Sequence, residues 1–157
     1  VATLAEGIGM TVLRWSARRG DAEAKRAILE AADVVTLHLR LSTETRGFLS
    51  ARDLNVMKRS AILVNTGRGA LVERDGLLEA LRSKRIAAAG LDVFHDEPIK
   101  PGDPVLSLPN VVLSPHNAGQ TPEVIRDGLL RAVENVANYL KGTPTDVVVE
   151  PMSARRR

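Results

Sequence analysis

The sequence predicts an α/β protein, a doubly wound parallel sheet with helices packed against it. Short apolar runs of strand length alternate with stretches whose apolar residues recur at helical spacing. The composition is 44% hydrophobic but only 3% aromatic, so the core has to be built from Ala, Val, Leu and Ile, which suits parallel strands buried under helices. Three of the runs, Ala61–Val72, Gly90–Pro98 and Val111–Asn117, also share one layout. In each, an apolar segment stops at turn-forming residues and a chemically capable side chain follows: Arg68, Glu97 and His116. As parallel neighbours these segments would open their carboxyl ends onto one crevice, where open α/β sheets bind ligands.

Taken in order, Val1–Met10 reads as the second half of a helix, with Leu4, Ala5 and Ile8 on one side and a stop near Gly7 and Gly9. Thr11–Trp15 is expected to be a strand, followed by the polar turn Ser16–Gly20. Asp21 is placed to cap a helix from about Ala22 to Ala32. Asp33–His38 is the next strand, and Ser50 can cap a helix containing Leu54, Val56 and Met57. Ala61–Asn65 returns as a strand. Glu73–Lys84 carries Leu77, Leu78, Ala80 and Leu81 at helical spacing and ends in basic residues that suit a helix carboxyl end. Ile86–Val93 is a further strand. The Pro- and Asp-rich segment Phe94–Pro109 reads as a loop, long enough for Val111–Leu113 to run parallel to the strand before it. The longest helix spans Pro122–Lys141, with Pro122 in its first turn, a broad apolar face and Gly142 beyond its end.

Composition narrows the function classes. With no cysteine, disulfides, thiol nucleophiles and thiolate metal sites are excluded together, and no metal site is expected. No apolar run reaches the roughly 20 residues of a membrane helix, and no signal core follows the amino terminus, so the expected location is cytoplasmic, away from membranes. The net charge of +3 includes the tail Arg155–Arg157, which leaves the body near neutral. No basic stripe interleaved with aromatics argues for nucleic-acid binding.

The three chemically capable residues complement one another. Arg68, flanked by Gly67 and Gly69, offers a planar fork of donors that fits a carboxylate, or a carboxylate with its neighbouring carbonyl. His116, approached through Ser114–Pro115, can exchange a proton near neutral pH. Glu97, placed against His116, would stabilise the imidazolium. Singly, each reads more readily as a surface or structural residue. Together they equip a site to reduce a 2-oxo acid, lacking only a hydride source, which a nicotinamide would supply.

The runs NTGRGALVERDGLLEAL, AAAGLDVFHDEP and LSPHNAGQTPE, in that order and with 29 positions from Arg68 to Glu97, resemble the D-isomer-specific 2-hydroxyacid dehydrogenases. The resemblance covers about Val1–Val148 and implies a Rossmann-like nucleotide-binding domain and a D-2-hydroxy acid or 2-oxo acid substrate such as glyoxylate, hydroxypyruvate or 3-phosphoglycerate. It also implies a homodimer. By resemblance Arg68 binds substrate and polarises its carbonyl, His116 is the acid/base, and Glu97 is its partner. Asp92 matches the residue that holds the nicotinamide carboxamide, and Thr45, Thr66, Gly67 and the His116–Gly119 turn match other cofactor contacts. The expected organisation is a dinucleotide-binding domain over residues 1–121, a helix and return segment toward a substrate domain over 122–150, and a disordered basic tail over 151–157.

The sequence departs from the family pattern at its start and after its first expected strand. The family's glycine-rich phosphate loop should end just before Val1, so residues 1–157 are expected to bind dinucleotide poorly by themselves, through a sheet truncated at its amino end. NAD-preferring members place an acid where Ser16 stands, to accept the ribose 2′-hydroxyl. Here Arg18 and Arg19 follow instead, which admits NADP beside NAD, although a solvated turn explains them more simply. Arg40 stands where the family commonly has Pro, and His95 replaces a residue that is often acidic; no role follows for His95 from the sequence. A dinucleotide-sensing corepressor or binding protein on the same fold remains an alternative to the enzyme, since such relatives can keep Arg68, Glu97 and His116.

Overall fold

In a computed structural model, residues 1–16 and 21–148 are described. Arg18 and Arg19, and the tail 151–157, lie outside them. The chain divides into two compact units, Val1–Asn117 and Ala118–Arg157.

The first unit contains helices α1 (Ala2–Gly7), α2 (Ala22–Ala31), α3 (Ala51–Val56) and α4 (Arg74–Arg82), and strands β1 (Val34–Leu37), β2 (Ile62–Asn65), β3 (Ala88–Leu91) and β4 (Val111–Leu113). All pairs are parallel and the strand order is β1-β2-β3-β4. Right-handed crossovers that always step the same way put their helices on one face. That face is buried: Leu37, Leu63, Ala89 and Leu91 join Leu54 of α3 and Leu77, Leu78 and Leu81 of α4 in the core. The strands end in step, Leu37, Asn65, Leu91 and Leu113 forming one row across the sheet. His38, Thr66, Asp92 and Ser114 therefore come next along a common carboxyl edge.

Helix starts follow the side chains that cap them. Asp21 Oδ1 accepts from Ala24 N at 2.7 Å, and Ser50 and Asp53 form a reciprocal capping box at the head of α3. Gly76 in α4 is a packing requirement, since a Cβ there would lie 2.8 Å from Ala51 Cβ, closer than α3 and α4 could tolerate without shifting.

The expected strand over Thr11–Trp15 is not formed. A strand is held by the ladder of a neighbour, and among the described residues no strand pairs with residues 11–15. Trp15 instead packs on Phe48, with ring centroids 4.8 Å apart, and its Nε1 donates to Asp21 O at 3.2 Å. The loop after β3 also holds one element unseen in the sequence, a 3₁₀ turn over Pro104–Ser107 capped by Asp103, whose side chain accepts from Val105 N.

Beneath Phe48 lies a polar knot. Lys25 Nζ donates to Phe48 O and to Asp53 Oδ2 at 2.8 Å and sits 4.4 Å from the Phe48 ring centroid. Burial would raise the Asp53 pKa, but the bonds from Lys25 and Ser50 outweigh it and hold the carboxyl below its ordinary value. A depressed folded-state pKa contributes stability that is present above the unfolded value, about 4, and is lost as pH falls through the folded one. Asp53→Asn is expected to cost about 1–3 kcal/mol at neutral pH, by breaking the cap and leaving the Lys25 ammonium without its counter-charge. The difference, read from urea midpoints, should shrink as pH falls below 4.

The second unit is built on α5 (Pro122–Leu140). Thr121 Oγ1 accepts from Val124 N at its head, and Gly142 takes a positive φ of 75° just beyond its end. Asn138 Nδ2 donates to Thr145 Oγ1, and Arg131 pairs with Asp146 at 3.2 Å. Among the described residues no helix is long and apolar enough to cross a membrane.

Candidate active site

Three loops leave the carboxyl edge of β2, β3 and β4, and each carries one of the residues singled out in the sequence. The turn after β2 is fixed by Asn65, which is 1% exposed. Its Oδ1 accepts from Gly67 N at 3.1 Å and its Nδ2 donates to Arg68 O at 2.9 Å, so one buried amide satisfies the backbone on both sides of Thr66 and Gly67. Arg68 itself is exposed, with Nη1 donating to Gly67 O at 2.7 Å.

Glu97 is held by its own loop. Its Oε1 accepts from Phe94 N at 2.8 Å and its Oε2 lies 2.6 Å from His116 Nδ1. The Phe94 N–H holds the carboxyl below the usual carboxylate range; burial opposes it, and His116 and Arg68 act in the same direction as Phe94. Glu97 is therefore an acceptor at neutral pH, and Nδ1 carries the proton between them. His116 stands at a φ of 54°, in the left-handed region that non-glycine residues enter rarely. The strain is held from both sides by Asp92, which is 4% exposed. Asp92 Oδ1 accepts from Ser114 Oγ at 2.5 Å and from Asn117 N at 2.9 Å, so it grips the chain two residues before His116 and one residue after.

Arg68, Glu97 and His116 are thus brought to one edge, with the charge of Arg68 felt at Glu97 and the Glu97–His116 contact direct. Nδ1 faces Glu97, and Nε2 is the other ring nitrogen.

Thr66 is exposed and Gly67 half-buried directly beyond β2, and Asp92 lies directly beyond β3. A buried carboxylate is an acceptor of the kind a carboxamide NH₂ needs, and small residues at the end of a parallel strand let a flat ring approach the backbone, so this edge fits a nicotinamide. Thr45 is 8% exposed, and its hydroxyl donates to Arg40 O at 2.7 Å and accepts from Ser42 N at 2.8 Å, stitching its own turn. Ser16 is exposed, and Gly119, also exposed, belongs to the second unit. Asn65 and Ser114 were not singled out in the sequence. A polar residue ending one apolar strand, and another directly after a second, is the signal that would have found them.

Several known proteins share this arrangement of sequence. A glyoxylate reductase of Korarchaeum cryptofilum is 42% identical over 151 residues, covering 90% of this chain and 46% of that protein. Among solved structures, a D-isomer specific 2-hydroxyacid dehydrogenase from Lactobacillus delbrueckii in its NAD complexed form is 28% identical with a TM-score of 0.82, covering 94% of this chain and 51% of that one. Another, from Xanthobacter autotrophicus in complex with NADPH and MES, is 36% identical with a TM-score of 0.70, covering 83% of this chain and 53% of that one. The chain spans about half the length of the curated relatives it matches. Residues 1–118 match the family described as D-isomer specific 2-hydroxyacid dehydrogenase, NAD binding domain, and the chain belongs to that family.

Proposed function

We propose that this chain is the dinucleotide-binding part of an NADP- or NAD-dependent oxidoreductase that interconverts a small 2-oxo acid and its D-2-hydroxy acid, with glyoxylate, hydroxypyruvate or 3-phosphoglycerate as candidate substrates. The observation that carries this reading is the 2.6 Å contact between His116 Nδ1 and Glu97 Oε2 beside the Arg68 turn. A bound reduced nicotinamide would supply the hydride that reduces the substrate carbonyl carbon. Arg68 holds the substrate carboxylate and draws charge onto the carbonyl oxygen. His116, charged and braced by Glu97, gives its Nε2 proton to that oxygen as the carbon is reduced, and keeps Nδ1–H on Glu97 when it becomes neutral. In the oxidising direction Nε2 takes the hydroxyl proton back. Asp92, Thr66 and Gly67 would hold the nicotinamide end, with Thr45 and Gly119 as further cofactor contacts.

By the family pattern Ser16, Arg18 and Arg19 fall at the positions that read the ribose, and arginines there would welcome a 2′-phosphate. The two dinucleotides named in the family's solved structures, NAD and NADPH, keep both in play. A cytoplasmic homodimer belongs to the same reading, drawn from the family resemblance and the cysteine-free sequence.

The test is hydride transfer by the full-length protein on glyoxylate and hydroxypyruvate, with NADH and NADPH compared. Turnover is expected with at least one pair, and neutralising Arg18 and Arg19 is expected to raise KM for NADPH more than for NADH. No turnover on any 2-oxo acid, with dinucleotide binding retained, would transfer the protein to the sensor class.

A further inference from the structure

The turn that carries Arg68 is anchored on the side away from the crevice. Gly47 N donates to Ala70 O, Leu49 N to Leu71 O and Glu73 N to Leu49 O, at 2.8–3.0 Å, so residues 69–73 are stitched to residues 47–49. This makes the turn a fixed platform. Among the described residues, the loop that carries Glu97 has no comparable backbone ladder to the platform and is held against it some other way.

Two of its contacts with the platform lie next to Glu97. A Cβ on Gly69 would lie 2.1 Å from Phe94 O, so the two backbones meet where only glycine fits. The next residue, His95, places Nε2 2.8 Å from Val72 O. A carbonyl can only accept, so Nε2 carries the proton and donates. Phe94, between these contacts and Glu97, donates its N–H to Glu97 Oε1, and Glu97 Oε2 meets His116. The contacts run without a break from the Arg68 turn through His95 and Phe94 to Glu97 and His116. Farther along, the loop is tied again by Arg74 and Asp103 at 2.8 Å, six residues beyond Glu97 in sequence.

We propose that His95 is a positioning residue: by donating to the Val72 carbonyl it locks the Glu97 loop onto the Arg68 turn and so sets the position of the Glu97–His116 pair relative to the guanidinium that holds substrate. The assignment rests on the reading of the site given under the proposed function. Hydride transfer needs carbonyl carbon, carbonyl oxygen and proton donor aligned at once, and a misplacement of about 1 Å can cost about 100-fold.

The experiment uses the full-length protein and three variants. His95→Ala removes the donor, His95→Gln restores a donor of similar reach, and Asp103→Asn loosens the same loop at its tie to Arg74. The expected result is a kcat lowered about 10- to 100-fold in His95→Ala, with KM for the dinucleotide within about twofold of wild type, and most of the loss recovered in His95→Gln. Asp103→Asn is expected to lower Tm and to lower kcat less than His95→Ala does. An unchanged kcat in His95→Ala, or equal losses in the alanine and glutamine variants, would overturn the assignment. Should the wild-type protein reduce no 2-oxo acid, the proposed function fails, and the ring ¹⁵N shifts of His116 still decide this point. A change in His95→Ala that glutamine reverses supports the positioning role, and identical spectra in all three proteins reject it.

Discussion

Replacing His116 with glutamine in the full-length protein is expected to lower kcat for 2-oxo acid reduction about 10³-fold, while dinucleotide affinity stays within about twofold of wild type. Glutamine can still donate a hydrogen bond to a carbonyl oxygen, so substrate binding survives in part. It cannot give up a proton as the carbon is reduced, and that loss is felt in the transition state alone. Glu97→Gln is the milder companion, because it leaves the imidazole in place but removes the charge that braces it. The pH dependence follows from the depressed pKa of Glu97. Its support for a charged His116 is present above the ordinary carboxylate value, about 4.3, and is withdrawn only as pH falls through the lower value of the folded protein. Steady-state kinetics with both dinucleotides, set beside a titration of cofactor binding, separates these effects. A His116→Gln enzyme with undiminished kcat would remove the imidazole from the reaction.

The parts of the molecule legible in the sequence are those decided by neighbours along the chain. Asp21 and Ser50 announce the starts of α2 and α3 because a cap acts over three residues. The apolar runs ending at Asn65, Leu91 and Leu113 are strands because their residues suit a buried sheet and nothing else nearby competes for them. Thr11–Trp15 has the same local credentials and still forms no strand, since strand formation depends on a partner ladder that local composition does not report. The site divides along the same line. Arg68, Glu97 and His116 stand out by chemistry and by family resemblance. Asn65, Ser114 and His95 do not, because their roles depend on which loops meet. Ser114 matters through Asp92, which lies 22 positions away, and His95 through Val72, which lies 23 positions away.

Arg68→Lys preserves the charge and is expected to cost nearly as much as losing it. The guanidinium already gives one nitrogen, Nη1, to Gly67 O, which anchors one arm of the fork. A bound 2-oxo acid presents a carboxylate oxygen and a carbonyl oxygen side by side, and a planar fork meets both at once. An ammonium is a point charge on a flexible stem: it can pair with the carboxylate or polarise the carbonyl, but has no geometry that holds both in register. The expected outcome is a KM for the 2-oxo acid raised about tenfold together with a kcat lowered about 10²-fold, because the carbonyl loses a donor that tightens as charge develops on its oxygen. Dinucleotide affinity should not move if, as proposed, Arg68 holds the substrate rather than the cofactor. The discriminating measurement is the pair of kinetic constants for glyoxylate against the dissociation constant for NADPH or NADH. A variant that loses cofactor affinity in step with substrate affinity would reassign Arg68 from the substrate to the dinucleotide, and a variant with wild-type constants would return it to the status of a charged surface turn.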